Sequence, residues 1–242
     1  MMDRILSFGG GLQTTALAIM VAQGQVEVDA VVFADTGGEK PETYWYIEEY
    51  IKPLFIEVGV PYYTVTNPED SHYGISLYDY FWRYRNIPAL KGRLCSNHFK
   101  ARPITKFVGK GAVQMIGFSA EEQHRAENPV HEGQSFPLIE LGMTGLDCHR
   151  LIGDFGWPIP LKSSCFFCVF QRVWQWNWLK RVHPDLFQRA VALEANLYDR
   201  KPQIREKFGL MGGRPLWKYA AGVQPEFYLP VEDSCYSGYC SH

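Results

Sequence analysis

The chain has 242 residues, 46% of them hydrophobic and 21% charged, with a formal net charge of −2 at pH 7. That length suits one sizeable α/β domain, or one domain with an added lobe. The near-neutral balance argues against a protein that coats nucleic acid by charge alone, and no run approaches the ~18 apolar residues of a membrane span. No long apolar region follows the start of the sequence, so no signal peptide and a cytoplasmic location are expected.

Ile5-Leu6-Ser7-Phe8 reads as an apolar strand that runs into Gly9-Gly10-Gly11 and then a helix predicted over 14–23. Three glycines permit positive φ and remove side chains that would block a close approach. The N–H groups of such a loop and of the following first helical turn have no intrahelical partners, which makes a partly positive cradle suited to phosphate. Thr14 and Thr15 add hydroxyls where the cradle would close. The loop is neither a P-loop, which ends in Gly-Lys-Ser/Thr, nor a spaced dinucleotide fingerprint.

A near-continuous apolar run over 29–34 marks a strand buried on both faces. Asp35 and Thr36 follow it, at the carboxyl end where ligands bind in open α/β sheets, so Asp35 is a candidate for a ribose, a metal or an adenine edge. Pro41 suits the first turn of a helix predicted over 41–57, and Glu42 sits where the positive helix end favours it. Strands are expected over 61–66 and 113–118, and helices over 75–84 and 103–109. This alternation predicts a doubly wound parallel sheet with right-handed crossovers.

A short element is expected over 136–141. Thr144 then caps a helix running to about residue 155, with Asp147 in its first turn and Gly156 at its stop. From Trp157 the character changes. Pro158 and Pro160 mark a linker, Cys165-Phe166-Phe167-Cys168 a tight loop, and 169–181 and 184–197 two helices. A glycine-bearing loop region leads to Cys235-Tyr236-Ser237-Gly238-Tyr239-Cys240. The expected division is a nucleotide-binding domain over 1–156 and a helical, cysteine-bearing C-terminal lobe over 157–242.

Four stretches carry a family resemblance. Gly9-Gly10-Gly11-Leu12-Gln13-Thr14 resembles the Ser-Gly-Gly-x-Asp-Ser pyrophosphate loop of the PP-loop superfamily, the adenine nucleotide α-hydrolases. Asp35-Thr36-Gly37-Gly38-Glu39-Lys40-Pro41-Glu42-Thr43 resembles the Asp-Thr-Gly-x-x-x-Pro-Glu-Thr run of the phosphoadenosine phosphosulfate (PAPS) reductase branch. Cys95-Ser96-Asn97-His98-Phe99-Lys100-Ala101-Arg102-Pro103 is similar to that branch's Cys-x-x-x-Lys-x-x-Pro element, and the Gly117-to-Arg125 stretch to its Gly-x-x-x-x-Glu-x-x-Arg element. The matches fall in family order over about the first 130 residues. Two positions depart from the loop pattern: Gly9 stands in place of serine and Gln13 in place of aspartate.

The resemblance implies an enzyme that binds ATP with Mg²⁺ at Ser7, Gly9, Gly10, Gly11, Gln13, Thr14, Thr15, Asp35, Thr36 and Gly117. Lys100 and Arg125 would contact phosphate, Arg125 bidentately, with Glu121 and Glu122 orienting it or coordinating Mg²⁺. The implied reaction is adenylation-dependent sulfur transfer. The acceptor is a nucleic acid such as tRNA or DNA, or a small molecule, with a separate protein as a candidate sulfur donor. Reduction of a sulfonucleotide and a non-catalytic nucleotide-binding subunit are the alternatives.

The six cysteines suit metal ligands or reactive thiols better than disulfides in a cytosolic chain. Cys165-x-x-Cys168 is a short chelate. The resemblance implies that it joins Cys95, with a fourth ligand from Cys240 or Cys235 or a fourth position open for an external sulfide, to hold a [4Fe–4S] cluster or, with four thiolates, structural zinc. The related reductases usually carry two adjacent cysteines at the first position, whereas Leu94 precedes Cys95 here. Cys240 is also a candidate nucleophile by comparison with the terminal cysteine of PAPS reductases, and Cys148 is expected to be a packed core thiol.

Overall fold

In the computed structural model, which describes residues 3–91, 94–127 and 133–222, five strands make one parallel sheet. They are β1 (Arg4–Phe8), β2 (Ala30–Ala34), β3 (Tyr62–Val65), β4 (Val113–Ile116) and β5 (Gln134–Ser135), and their spatial order is β3-β2-β1-β4-β5. All four pairings are parallel, with Ile5 beside Ala30 and Ser7 beside Ile116.

Successive side chains on a strand point to opposite faces, and here both faces are covered. Leu6, Phe8, Val31, Phe33 and Met115 enter one core, shared with helix α1 (Leu12–Ala22). Ile5, Ala30, Val32 and Ala34 enter the other, against Ile104. Every residue of β2 is buried, which explains its unbroken apolar run. Each large side chain so buried contributes roughly 1.5–3 kcal/mol.

Helix α1 starts two residues before its expected start because Gly11, extended at φ −113° and ψ 179°, acts as the N-cap. The helix expected over 41–57 forms as three joined pieces: α2 (Pro41–Tyr46), a π-helical turn (Ile47–Ile51) and α3 (Lys52–Glu57). After α4 (Leu77–Arg83) the same construction recurs, with α5 (Leu94–Ser96), a second π turn (Asn97–Ala101) and α6 (Arg102–Val108). Each π turn ends two residues before a proline, Pro53 or Pro103. A proline ring crowds the carbonyl four residues back in an α-helix and offers no N–H, so a widened turn relieves the conflict.

Helices α7 (Gln123–Ala126), α8 (Pro137–Glu140) and α9 (Gly145–Asp154) follow. Thr144 caps α9 as expected: its hydroxyl accepts from Asp147 N at 3.2 Å, and Asp147 Oδ2 accepts from Thr144 N at 2.9 Å. Helix α10 (Val173–Val182) begins later than expected, since residues 168–171 form a turn in which Gln171 N donates to Cys168 O. Helix α11 (Pro184–Arg200) continues past its expected end, and α12 (Leu216–Ala220) lies in a stretch read as loop. A third core joins Leu77, Tyr78 and Phe81 of α4 to Phe166, Phe167, Trp176 and Phe187. No described helix is long and apolar enough to cross a membrane.

Candidate functional site

The chain steps from β1 to β2 and β3 on one side of the sheet, and β4 and β5 lie on the other. The carboxyl ends of β1 and β4 therefore flank the topological switch point, where open α/β sheets leave a crevice. Gly9–Gly11 leave β1 there, and Gly117 leaves β4. Gly10 has φ +72°, and a Cβ on it would stand 2.7 Å from Thr43 Cγ2. A Cβ on Gly117 would stand 2.8 Å from Thr14 Cγ2 and 3.2 Å from the Thr14 amide nitrogen. Both positions need glycine.

Thr14 fixes the loop. Its Oγ1 accepts from Gly9 N at 3.2 Å and Gly11 N at 3.3 Å, and donates to Gly11 O at 3.1 Å. The first-turn amides of Leu12, Gln13 and Thr14 have no carbonyl partner within the helix. Thr15 is fully buried, with its hydroxyl unpartnered among the described residues, so it stands inside the fold. Ser7 Oγ accepts from Gln114 Nε2 at 2.7 Å, tying β1 to β4. Gln13 Nε2 donates to Glu122 Oε2 at 3.4 Å, Glu122 also pairs with Arg125, and the Arg125 guanidinium lies 4.0 Å from the Phe118 ring centre. Glu121 accepts from Gly145 N at 3.0 Å and so braces the start of α9.

On the β2 side, Asp35 Oδ1 accepts from Gly37 N at 2.8 Å and from Tyr44 OH at 2.6 Å. Burial, and then the Asp35 carboxylate, push the Tyr44 phenol above its usual range. Thr36 is fully buried; its hydroxyl accepts from Gly38 N at 3.3 Å and lies 3.5 Å from Cys165 Sγ. Phe166 N donates to Gly38 O at 2.9 Å, and Glu39 and Cys165 form an antiparallel bridge. The cysteine loop is thus stitched onto the segment after β2.

Beneath that stitch lies an ion pair with a buried carboxylate. The Glu39 side chain is 0% exposed, and its Oε1 accepts from Lys100 Nζ at 2.7 Å. Glu39 Oε2 has no hydrogen-bond partner among the described residues. Burial works against the Lys100 ammonium, but Glu39 and the Cys165 sulfur outweigh it and hold its pKa above the lysine range. Burial, then Glu39, pushes the Cys165 thiol far up, and burial also raises Cys168. Lys40 is almost completely buried, its ammonium 5.6 Å from the Trp178 ring centre, and burial lowers its pKa against the pull of Cys168, Glu42 and Glu39.

Cys95 is close enough to Cys168 to raise its pKa further. Cys95 lies in α5, and Lys100 lies in the π turn that follows it. Among the described residues no three His, Cys, Asp or Glu side chains are grouped so as to hold a metal ion. No step below is routed through a metal or cluster at Cys95, Cys165 and Cys168. Cys235 and Cys240 lie outside the described residues. Cys148 is fully buried in α9, its thiol pushed up to about 12 chiefly by burial, as a packed core residue should be.

Several residues of the crevice escaped the sequence reading as contributors: Glu39, Lys40, Ser163, and Gln114 beneath the loop. Glu39 and Lys40 stood inside a quoted motif, and two charged residues next to a buried strand end are a signal. Ser163 carried none, because only the fold brings it to the glycine loop.

The sequence matches the phosphoadenosine phosphosulfate reductase domain family over residues 3–140. It is also similar to the uncharacterized nin region protein ORF290 of Escherichia phage lambda, at 31% identity over 147 residues, covering 51% of this chain and 50% of that protein. The chain therefore spans about half the length of this curated relative. The family match takes in all five strands, both glycine turns of the crevice and the Glu39–Lys100 pair, and it covers more than half of the sequence. A parallel sheet with its crevice at the β1–β4 switch point, and a sequence that matches along that whole sheet, place the chain in the phosphoadenosine phosphosulfate reductase domain family, on the PAPS reductase-like branch of the PP-loop superfamily.

Proposed function

We propose that the chain binds an adenine nucleotide across the carboxyl ends of β1 and β4 and uses it in ATP-dependent sulfur transfer. The glycine loop carries this reading. Gly10 and Gly117 must be glycine because a Cβ would strike Thr43 and Thr14, and this close packing sets the unpartnered first-turn amides of α1 at the end of β1, where a phosphate chain suits them. An acceptor oxygen attacks the α-phosphorus of ATP, forming a P–O bond while the bond to the β-phosphate breaks and pyrophosphate leaves. A sulfide then attacks the acceptor carbon; a C–S bond forms, the C–O bond breaks and AMP leaves with the electron pair.

The chain's own residues position and neutralise. The first-turn amides of α1 hold the phosphates, Arg125 stands at the β4 lip on Phe118, and Asp35 is held by Gly37 and Tyr44 for a ribose or adenine edge. Mg²⁺ would accompany ATP and neutralise phosphate charge. The acceptor class proposed is tRNA or DNA.

The family match favours a second reading, reduction of a sulfonucleotide. In it a cysteine thiolate attacks the sulfate sulfur, an S–S bond forms, the S–O bond to phosphate breaks and the nucleotide leaves. Anaerobic incubation separates the two. Pyrophosphate and AMP from ATP in the presence of tRNA or DNA support sulfur transfer, whereas adenosine bisphosphate from PAPS without ATP supports reduction. Tight ATP binding with neither product selects a non-catalytic nucleotide-binding subunit, and no binding of either nucleotide refutes all three.

A further inference from the structure

Ser163 belongs to the segment that links the sheet to the cysteine loop, far in sequence from the glycine turn. The fold nevertheless lays it across that turn. Its Oγ lies 3.0 Å from where a Cβ on Gly11 would stand, and its Cβ lies 3.6 Å from the corresponding point on Gly10. The position is fixed from behind: Phe166 N donates to Gly38 O at 2.9 Å, Glu39 and Cys165 bridge, and Cys165 Sγ lies 3.5 Å from Thr36 Oγ1. Among the described residues the Ser163 hydroxyl makes no hydrogen bond, and next to it Ser164 Oγ is buried without a partner. On the inner side of the same turn the Gly9 and Gly11 amides are already taken by Thr14.

A half-buried hydroxyl, held rigidly, free of protein partners and facing bare glycine backbone, has the geometry of an outer donor to an anion seated on the loop. We infer that Ser163 is a phosphate-contacting residue that selects nucleotides carrying a polyphosphate tail: its O–H donates to a non-bridging oxygen of that tail, closing the cradle from the side opposite α1. The inference rests on the reading that an adenine nucleotide occupies the loop. Lys162, exposed beside it, adds positive charge to the same lip. Removing one charge-assisted hydrogen bond of this kind costs about tenfold in affinity.

The test is equilibrium titration of the full chain with ATP, AMP and inorganic pyrophosphate, for wild type, Ser163→Ala and Ser163→Thr, with thermal melts as the folding control. The expected result is an about tenfold loss of ATP and pyrophosphate affinity in Ser163→Ala, AMP affinity within about twofold, and recovery in Ser163→Thr, which keeps the hydroxyl. Gly11→Ala is the second variant: its methyl group would push the Ser163 hydroxyl aside and should give the same selective loss. Equal losses for ATP and AMP, or no loss in either variant, overturn the role of Ser163 while leaving nucleotide binding intact. A wild-type chain that binds none of the three ligands overturns both.

Discussion

Removing Lys100 should expose how the site is held together. Its partner Glu39 has a fully buried side chain, and one of the two carboxylate oxygens already has no hydrogen bond among the described residues. Breaking a buried pair from one side strands a charge at a cost of roughly 3–5 kcal/mol. The Lys100 side chain is itself 36% exposed, so water can approach from that end, and the figure should be reduced. We expect Lys100→Ala to lose about 2–4 kcal/mol, read by urea denaturation followed through tryptophan fluorescence. The double variant Lys100→Ala/Glu39→Gln should recover at least half of that, because the stranded buried carboxylate is gone. The sign with pH is fixed by the raised lysine pKa. The contribution is complete below the ordinary value of 10.5 and is lost only as pH rises through the higher folded value. The difference between wild type and Lys100→Ala should therefore stay level from about pH 7 to 9. A Lys100→Ala cost below about 0.5 kcal/mol, or no recovery in the double variant, would refute the reasoning.

Gly10→Val should destabilise the fold by about 2–4 kcal/mol, since it sets a branched residue at φ +72° with its Cβ 2.7 Å from Thr43 Cγ2; a melt within a degree of wild type would contradict this. Gly209→Ala should be at least as severe, roughly 3 kcal/mol or more, because its Cβ would stand 2.0 Å from Glu194 Oε1 and 2.6 Å from the Pro215 Cα. Glu194 accepts from Leu210 N, Leu216 N and Trp217 N, yet burial still raises its pKa. A carboxyl with a raised folded pKa loses stabilising effect as pH climbs from 4.5 to that higher value. Denaturation midpoints across that interval should fall for wild type relative to Glu194→Gln, and parallel curves would sink the assignment.

The sheet was legible because its signals are local. The unbroken apolar run of β2 and the glycine turn after β1 each announce themselves within a few residues, and four of the five strands lie within a residue or two of their expected places. Strand β5, two residues long, has no alternation to detect. Helix α12 was missed because its first turn is capped from across the fold, by the Glu194 carboxylate on α11, and not by a neighbouring residue. The π turns were hidden for a related reason: the stretch through Pro53 read as one regular helix and Pro103 as a helix start, whereas the helix widens ahead of each proline and continues. Among the site residues, the glycines could be read from the order of residues alone. The pairing of Glu39 with Lys100 and the approach of Ser163 to Gly11 join segments 61 or more residues apart, and no spacing rule encodes them.

Binding of ATP to the glycine loop is the central claim, and titration of ATP against wild type and Gly9→Val tests it most directly. Gly9 is the loop position that can take a side chain: its backbone is outside the left-handed region, and a Cβ there would meet only Thr14, at 3.8 Å. The variant should therefore fold, with a thermal melt close to wild type, while its isopropyl group crowds the amide cradle. The expected result is saturable ATP binding by wild type and a loss of about tenfold or more in Gly9→Val, equivalent to at least ~1.4 kcal/mol. Equal ATP affinity in a folded Gly9→Val protein, or no ATP binding by wild type, would contradict the account.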